Sequence, residues 1–103
     1  MTEPRVKVLL YLAPSETEPD AVNEAYHRIS GDLAGTPGLV ANQLMRSVTE
    51  PAGYIVMSEW ESLTAFHAWE EGPNHRDTTA PLRPYQDRRR GNPFGLYEVV
   101  ASY

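Results

Sequence analysis

From Val6 to Ala13 the chain reads VKVLLYLA, aliphatic and β-branched with a single charge, and stops at Pro14-Ser15; this pattern predicts a strand. The next stretch, TEPDAVNEAYHRISGDLAGTPG, places Val22, Ala25, Ile29 and Leu33 three and four positions apart. That spacing predicts an amphipathic helix, with Thr17 or Glu18 as its cap, Pro19 and Asp20 in its first turn, and Gly35 and Pro37-Gly38 closing it. Leu39 to Val48 reads as a second strand and Tyr54 to Trp60 as a third. The short turn at Pro51-Ala52-Gly53 makes them an antiparallel hairpin. Ser62 is placed to cap a second helix, LTAFHAWEE, which Gly72-Pro73 ends. A long polar segment from Asn74 to Pro93 then leads to a terminal strand, FGLYEVVASY.

The order is β-α-β-β-α-β, with neither a linker nor an internal repeat beyond the two strand-helix halves. It predicts one α+β domain over residues 1–103, ferredoxin-like, with a four-stranded antiparallel sheet and both helices on one face. The first strand is apolar on both sides: Val6, Val8, Leu10 and Leu12 alternate with Leu9, Tyr11 and Ala13. The last strand repeats this, Leu96 and Val100 opposing Tyr97, Val99, Ala101 and Tyr103. Two helices cover only one face, so the other is expected to meet a second copy of the chain. The expected assembly is a homodimer with facing sheets, held in part by the C-terminal strand.

Composition narrows the chemistry. A chain of 103 residues is long enough to bury a core without a metal or disulfide, and with no cysteine it has neither thiolate chemistry nor a zinc ribbon. No basic-then-apolar leader opens the chain, and no apolar run reaches the roughly 18 residues of a membrane span. A soluble, unprocessed, cytoplasmic protein is expected, without a membrane partner. The net charge of −5 speaks against nucleic acid as a partner. Arg83, Arg88, Arg89 and Arg90 form a local exception, either a solvated loop or a counter-charge for an anionic ligand or a neighbouring subunit.

Candidate chemistry concentrates in SEWESLTAFHAWEEGPNHRD, Ser58 to Asp77. On the second helix Leu63, Phe66 and Trp69 with Ala65 share one face, expected to lie on the sheet; His67 falls on the flank, Glu70 on the boundary, and Thr64 and Glu71 look to solvent. Trp60 and Trp69 read first as core, and also as the flat wall a planar polycyclic ligand needs. His67 and His75 are either surface histidines or general bases. His27 belongs to the outer face of the first helix, and no histidine has a partner at a metal-ligand spacing, so no metal site is expected. Ser58 reads as an ordinary strand residue. Asn42 interrupts an apolar alternation with Val40 and Leu44, at a strand edge or facing a cavity. The segment from Asn74 to Pro93, with Arg83 and Tyr85, is either a partial lid over a pocket between helices and sheet or a structural connection.

The element order, the EWES that follows the third strand, and the W-E-S-x-x-A-F-x-x-W run from Trp60 to Trp69 resemble the antibiotic biosynthesis monooxygenase family. The resemblance implies a dimeric α+β barrel. It also implies an enzyme that oxidises an aromatic polyketide, anthrone or hydroquinone to quinone, with molecular oxygen and without metal, flavin, haem or other cofactor. On that reading Trp60, Phe66 and Trp69 form the pocket wall and His67 or His75 is the base. Tyr11 joins the substrate-binding set, and Asn42, Arg83 or Tyr85 donates to a phenolate or carbonyl oxygen. The chain also departs from the family pattern. Phe66 stands where the best-described aromatic polyketide oxygenase has a proton-relaying tyrosine, and Trp69 where many members have histidine. Trp69 matches the haem-degrading branch, but Thr79 stands where that branch has its iron-binding histidine, and the first strand lacks its asparagine, so haem degradation is not the expected activity unless His75 substitutes from its shifted place. A polyketide cyclase or isomerase, or a non-catalytic binding dimer, are the alternatives on the same fold.

Overall fold

The computed structural model describes residues 3–13, 17–18, 20–49, 53–72, 79–87, 89 and 91–103. Strand β1 (Val6–Leu12) is followed by helix α1 (Ala21–Leu33), β2 (Leu39–Arg46), β3 (Tyr54–Trp60), α2 (Leu63–Glu70), a short 3-10 helix (Ala80–Tyr85) and β4 (Phe94–Glu98). The four strands form one antiparallel sheet in the order β2-β3-β1-β4. The fold is therefore the expected α+β, ferredoxin-like arrangement.

Register assigns the faces. Val6 pairs with Trp60, Val8 with Ser58 and Leu10 with Val56, so these side chains share one face of the sheet. That face carries both helices. Leu12 and Val56 pack with Val22, Ala25, Ile29 and Leu33 of α1 and with Leu82 of the 3-10 helix. Val6, Val8 and Trp60 pack with Phe66 of α2, flanked by Leu63, Ala65 and Trp69. Trp60 and Phe66 are fully enclosed. Side chains of that size each contribute about 2–3 kcal/mol by leaving water.

Local chemistry sets the boundaries. Ser62 caps α2, its hydroxyl accepting from the Ala65 N–H at 3.1 Å. The cap of α1 is Asp20, in place of Thr17 or Glu18, and its side chain makes no capping bond. Gly35 and Gly38 take φ of +82° and +84°, turning the chain from α1 into β2. Gly38 also brings the backbone against α2: its carbonyl accepts from Glu61 N–H at 2.8 Å, and a Cβ placed there would stand 2.5 Å from that of Ala65.

Two boundaries differ from expectation. β2 ends at Arg46, short of Val48, which is almost fully exposed. The last strand ends at Glu98: Val99 N–H still reaches the Arg5 carbonyl at 2.9 Å, but the chain then runs past the end of β1, and Val100 and Tyr103 are exposed. The opposite face carries Leu9, Tyr11, Ile55, Met57 and Met45, by the same register, with Lys7 and Arg5 flanking Glu59 at one end. No described helix packs on it. No helix among the described residues is long and apolar enough to cross a membrane.

Candidate functional site

A cavity of about 510 Å³ lies between the helix-bearing face of the sheet and the elements above it. The strands supply Val8, Leu10, Asn42, Val56, Ser58 and Trp60; α1 supplies Ile29 and Leu33; α2 supplies Phe66, Trp69 and Glu70. The segment after α2 closes another side with Thr79, Leu82, Arg83 and Gln86, and Phe94 of β4 completes the lining. Within that segment, Leu82 and Arg83 of the 3-10 helix face the cavity.

The aromatic wall has a definite geometry. Trp60 and Trp69 have ring centroids 5.2 Å apart with a tilt of 32°, and Phe66 meets Trp60 edge-on at 5.7 Å. Phe94 lies nearly parallel to Phe66, 6.3 Å away, and is about one-third exposed. Flat faces of this kind suit a planar ring system.

Polar groups are few. Trp60 donates its indole N–H to Ser58 Oγ at 3.0 Å, which leaves the serine proton available to another acceptor. Asn42, opposite Ser58 in the β2–β3 register, has its amide oxygen buried without a hydrogen-bond partner. Its backbone carbonyl accepts from the Tyr26 hydroxyl at 3.1 Å, and burial pushes the Tyr26 phenol above its ordinary pKa. Among the described lining residues, Glu70 is the one carboxylate and Arg83 the one cation.

Of the expected site residues, Asn42, Trp60, Phe66, Trp69 and Arg83 meet in this cavity. Tyr11 does not: strand alternation carries it to the open face, opposite Ile55. Tyr85 packs against the core around Leu12 instead, its carbonyl accepting from Ala13 N–H at 2.7 Å. His67 lies on the exposed flank of α2, outside the lining, with Nδ1 3.2 Å from Glu70 Oε1. His75 lies outside the described residues, as do Arg88 and Arg90, while Arg89 pairs with Asp87 at 3.0 Å. Ser58, read from sequence as an ordinary strand residue, and Glu70, placed only on the helix boundary, are both lining residues. Period alone could have found Ser58, two positions before Trp60 on the same strand face.

Fold and site together define a small α+β domain with a partly open, mostly apolar cavity. The model of the antibiotic biosynthesis monooxygenase family matches residues 5–81, and the chain belongs to that family. Protein SchA of Streptomyces halstedii is 37% identical over 96 residues, 93% of this chain and 24% of that protein. A 42.8 kDa protein in the whiE locus of Streptomyces coelicolor is 38% identical over 76% of this chain and 20% of its own length. The chain thus spans about a quarter or less of these two relatives. A mycobilin-producing heme oxygenase of Mycobacterium tuberculosis is 34% identical over 68% of this chain and 66% of its own. Among solved structures, SnoaB, a cofactor-independent oxygenase from Streptomyces nogalater, superposes with a TM-score of 0.76, 18% identity and coverage of 97% and 96%. A conserved protein from Methanosarcina mazei Go1 gives the same TM-score at 8% identity, covering 92% of each chain. At such identities these two likenesses speak to the fold.

The described lining of the cavity offers no axial ligand for haem, and His75 lies outside the described residues. No histidine, cysteine, methionine or tyrosine stands among its described lining residues, so they give a haem iron none of its usual axial ligands. Thr79, at the position where the haem-degrading branch has its histidine, does line the cavity, but it brings a hydroxyl there.

Proposed function

We propose that this chain is a cofactor-independent monooxygenase that oxidises a planar, electron-rich aromatic polyketide, an anthrone or hydroquinone, to the quinone. For an anthrone, one atom of oxygen becomes the new ring carbonyl and the other leaves as water with the two methylene hydrogens; for a hydroquinone, oxygen takes the two hydroxyl hydrogens and leaves as hydrogen peroxide, with no atom inserted. The observation that carries the reading is the cavity of about 510 Å³, walled by Trp60, Phe66, Trp69 and Phe94, with a few polar groups set among apolar ones. Family membership supports the same chemistry.

The physical logic needs no bound redox group. A deprotonated anthrone or phenol is itself electron-rich enough to reduce oxygen, so the protein has to bind the ring system, remove a proton, hold the anion and keep water out. Arg83 is the cation available to the anion. Asn42 can turn its amide about χ2, a soft torsion, and so offer its unpartnered oxygen to a substrate hydroxyl. The working unit is a homodimer joined through the open sheet face.

The test is oxygen uptake with 1,8-dihydroxyanthrone, with the quinone followed by absorbance. Uptake and quinone in equal amounts are expected with air, and neither under strict anaerobiosis. Product formation that continues unchanged without oxygen would replace the oxygenase by a cyclase or isomerase.

A further inference from the structure

The geometry points to Glu70, rather than a histidine, as the base that takes a proton from the bound substrate, with His67 as the residue that holds it in position. This rests on the cavity's being the aromatic-binding site, and it names a residue that the aromatic wall alone does not. Glu70 lies on the last turn of α2, one position past Trp69, and joins the lining at the end of the aromatic wall. It is the one carboxylate among the described lining residues; Asn42, Ser58, Thr79 and Gln86 are polar but poor bases at neutral pH.

His67 is outside the lining, so it cannot reach substrate directly, but its Nδ1 stands 3.2 Å from Glu70 Oε1. Three residues apart on one helix, the two side chains are neighbours on its surface. In the tautomer protonated at Nδ1 the ring N–H holds Oε1, and Oε2 is left to accept. In the step, an acidic C–H or O–H bond of the substrate breaks, its electron pair stays on the ring system as enolate or phenolate, and the proton forms an O–H bond at Glu70. No oxidant enters this step. Glu70 is partly exposed, at 37% of its side chain, so the proton can pass on to water.

The step can be read without oxygen. Under argon in deuterium oxide, proton NMR follows exchange of the methylene hydrogens of 1,8-dihydroxyanthrone, while quenching of Trp60 and Trp69 fluorescence follows its binding. The protein is expected to accelerate exchange over buffer. Glu70→Gln is expected to bind the probe normally and lose the acceleration about 100-fold or more. His67→Ala is expected to bind the probe normally and keep only part of the acceleration, and His67→Asn, which retains a side-chain N–H donor, to recover most of it. Arg83 shares the cavity lining with Glu70, so Arg83→Gln is run beside it. Glu70→Gln exchanging at the wild-type rate overturns the assignment, as does a wild-type protein that binds the probe and accelerates nothing. His67→Asn exchanging no faster than His67→Ala overturns the positioning role. Failure of the wild type to bind the probe overturns the aromatic-site reading, and this inference with it.

Discussion

Ser58 holds the indole of Trp60 by a hydrogen bond of 3.0 Å between two side chains on the same face of β3. Trp60 is wholly enclosed, so without Ser58 its N–H would be a buried donor with no partner. Ser58→Ala is therefore expected to lower stability by about 1–3 kcal/mol. It should also shift the Trp60 emission, because the ring is freed to turn. Urea unfolding followed by circular dichroism checks the first effect, and a Trp69→Phe background isolates the emission of Trp60.

Asn42 should behave in the opposite sense. Its amide oxygen is buried and unpartnered, which carries a desolvation penalty with no compensating bond in the free protein. Asn42→Leu is expected to leave stability unchanged or raise it by up to about 2 kcal/mol, while weakening binding of a hydroxylated anthrone about tenfold. Thermal melts and fluorescence titration separate the two. Lost stability with unchanged binding would make Asn42 a structural residue only.

These two residues also show what the sequence could and could not disclose. Strand and helix period put Trp60 and one face of α2 against the sheet and left Asn42 between a strand edge and the cavity, because apolar burial leaves a period that survives in one dimension. The same period placed Tyr11 on the opposite face, against its assignment to the substrate. Glu70 and Thr79 were harder to see: one sits at a helix boundary, the other in a polar segment without periodicity, and only the packing of that segment on the sheet side reveals which residues line a space. The overlong final strand has a similar origin. Val99, Val100 and Tyr103 have strand composition, but the partner strand β1 gives them no register beyond Arg5.

Two glycines are expected to answer alanine with opposite signs. Gly31 lies in α1, exposed, and a Cβ there would meet nothing within 4 Å. Gly31→Ala should stabilise by about 0.5–1 kcal/mol through helix propensity. Gly38 has φ +84° and its added Cβ would sit 2.5 Å from Ala65 Cβ, so Gly38→Ala should destabilise by about 2 kcal/mol or more and loosen α2 from the sheet. Denaturant midpoints of the two variants, measured side by side, check both.

Tyr26 predicts an alkaline limb. Burial raises its phenol above the ordinary value of 10.0, so the folded state keeps the proton that the unfolded chain releases. Below pH 10.0 both states hold it and nothing is lost; as pH rises from there through the folded value, the unfolded state binds fewer protons and stability falls. Tyr26→Phe should lack this part of the fall, at the expense of the hydrogen bond to the Asn42 carbonyl at lower pH. Urea midpoints between pH 8 and 11 for the two proteins give the comparison, and parallel curves would remove Tyr26 as the source.

The proposed homodimer rests on the open face of the sheet. Leu9, Ile55, Met57 and Met45 present apolar side chains there, Tyr97 lies beyond them on β4, and no described helix covers them. Such a face in water favours a self-complementary partner, and Lys7 and Arg5 beside Glu59 give the patch a charged end that can help fix the register between copies. The wild type is expected to sediment as a dimer at micromolar concentration. Ile55→Lys should sediment as a monomer with its circular dichroism preserved, because the change sets a charge at the centre of the contact and leaves the helix-facing core intact. A monomeric wild type would remove the homodimer, and a dimeric Ile55→Lys would move the contact to another surface.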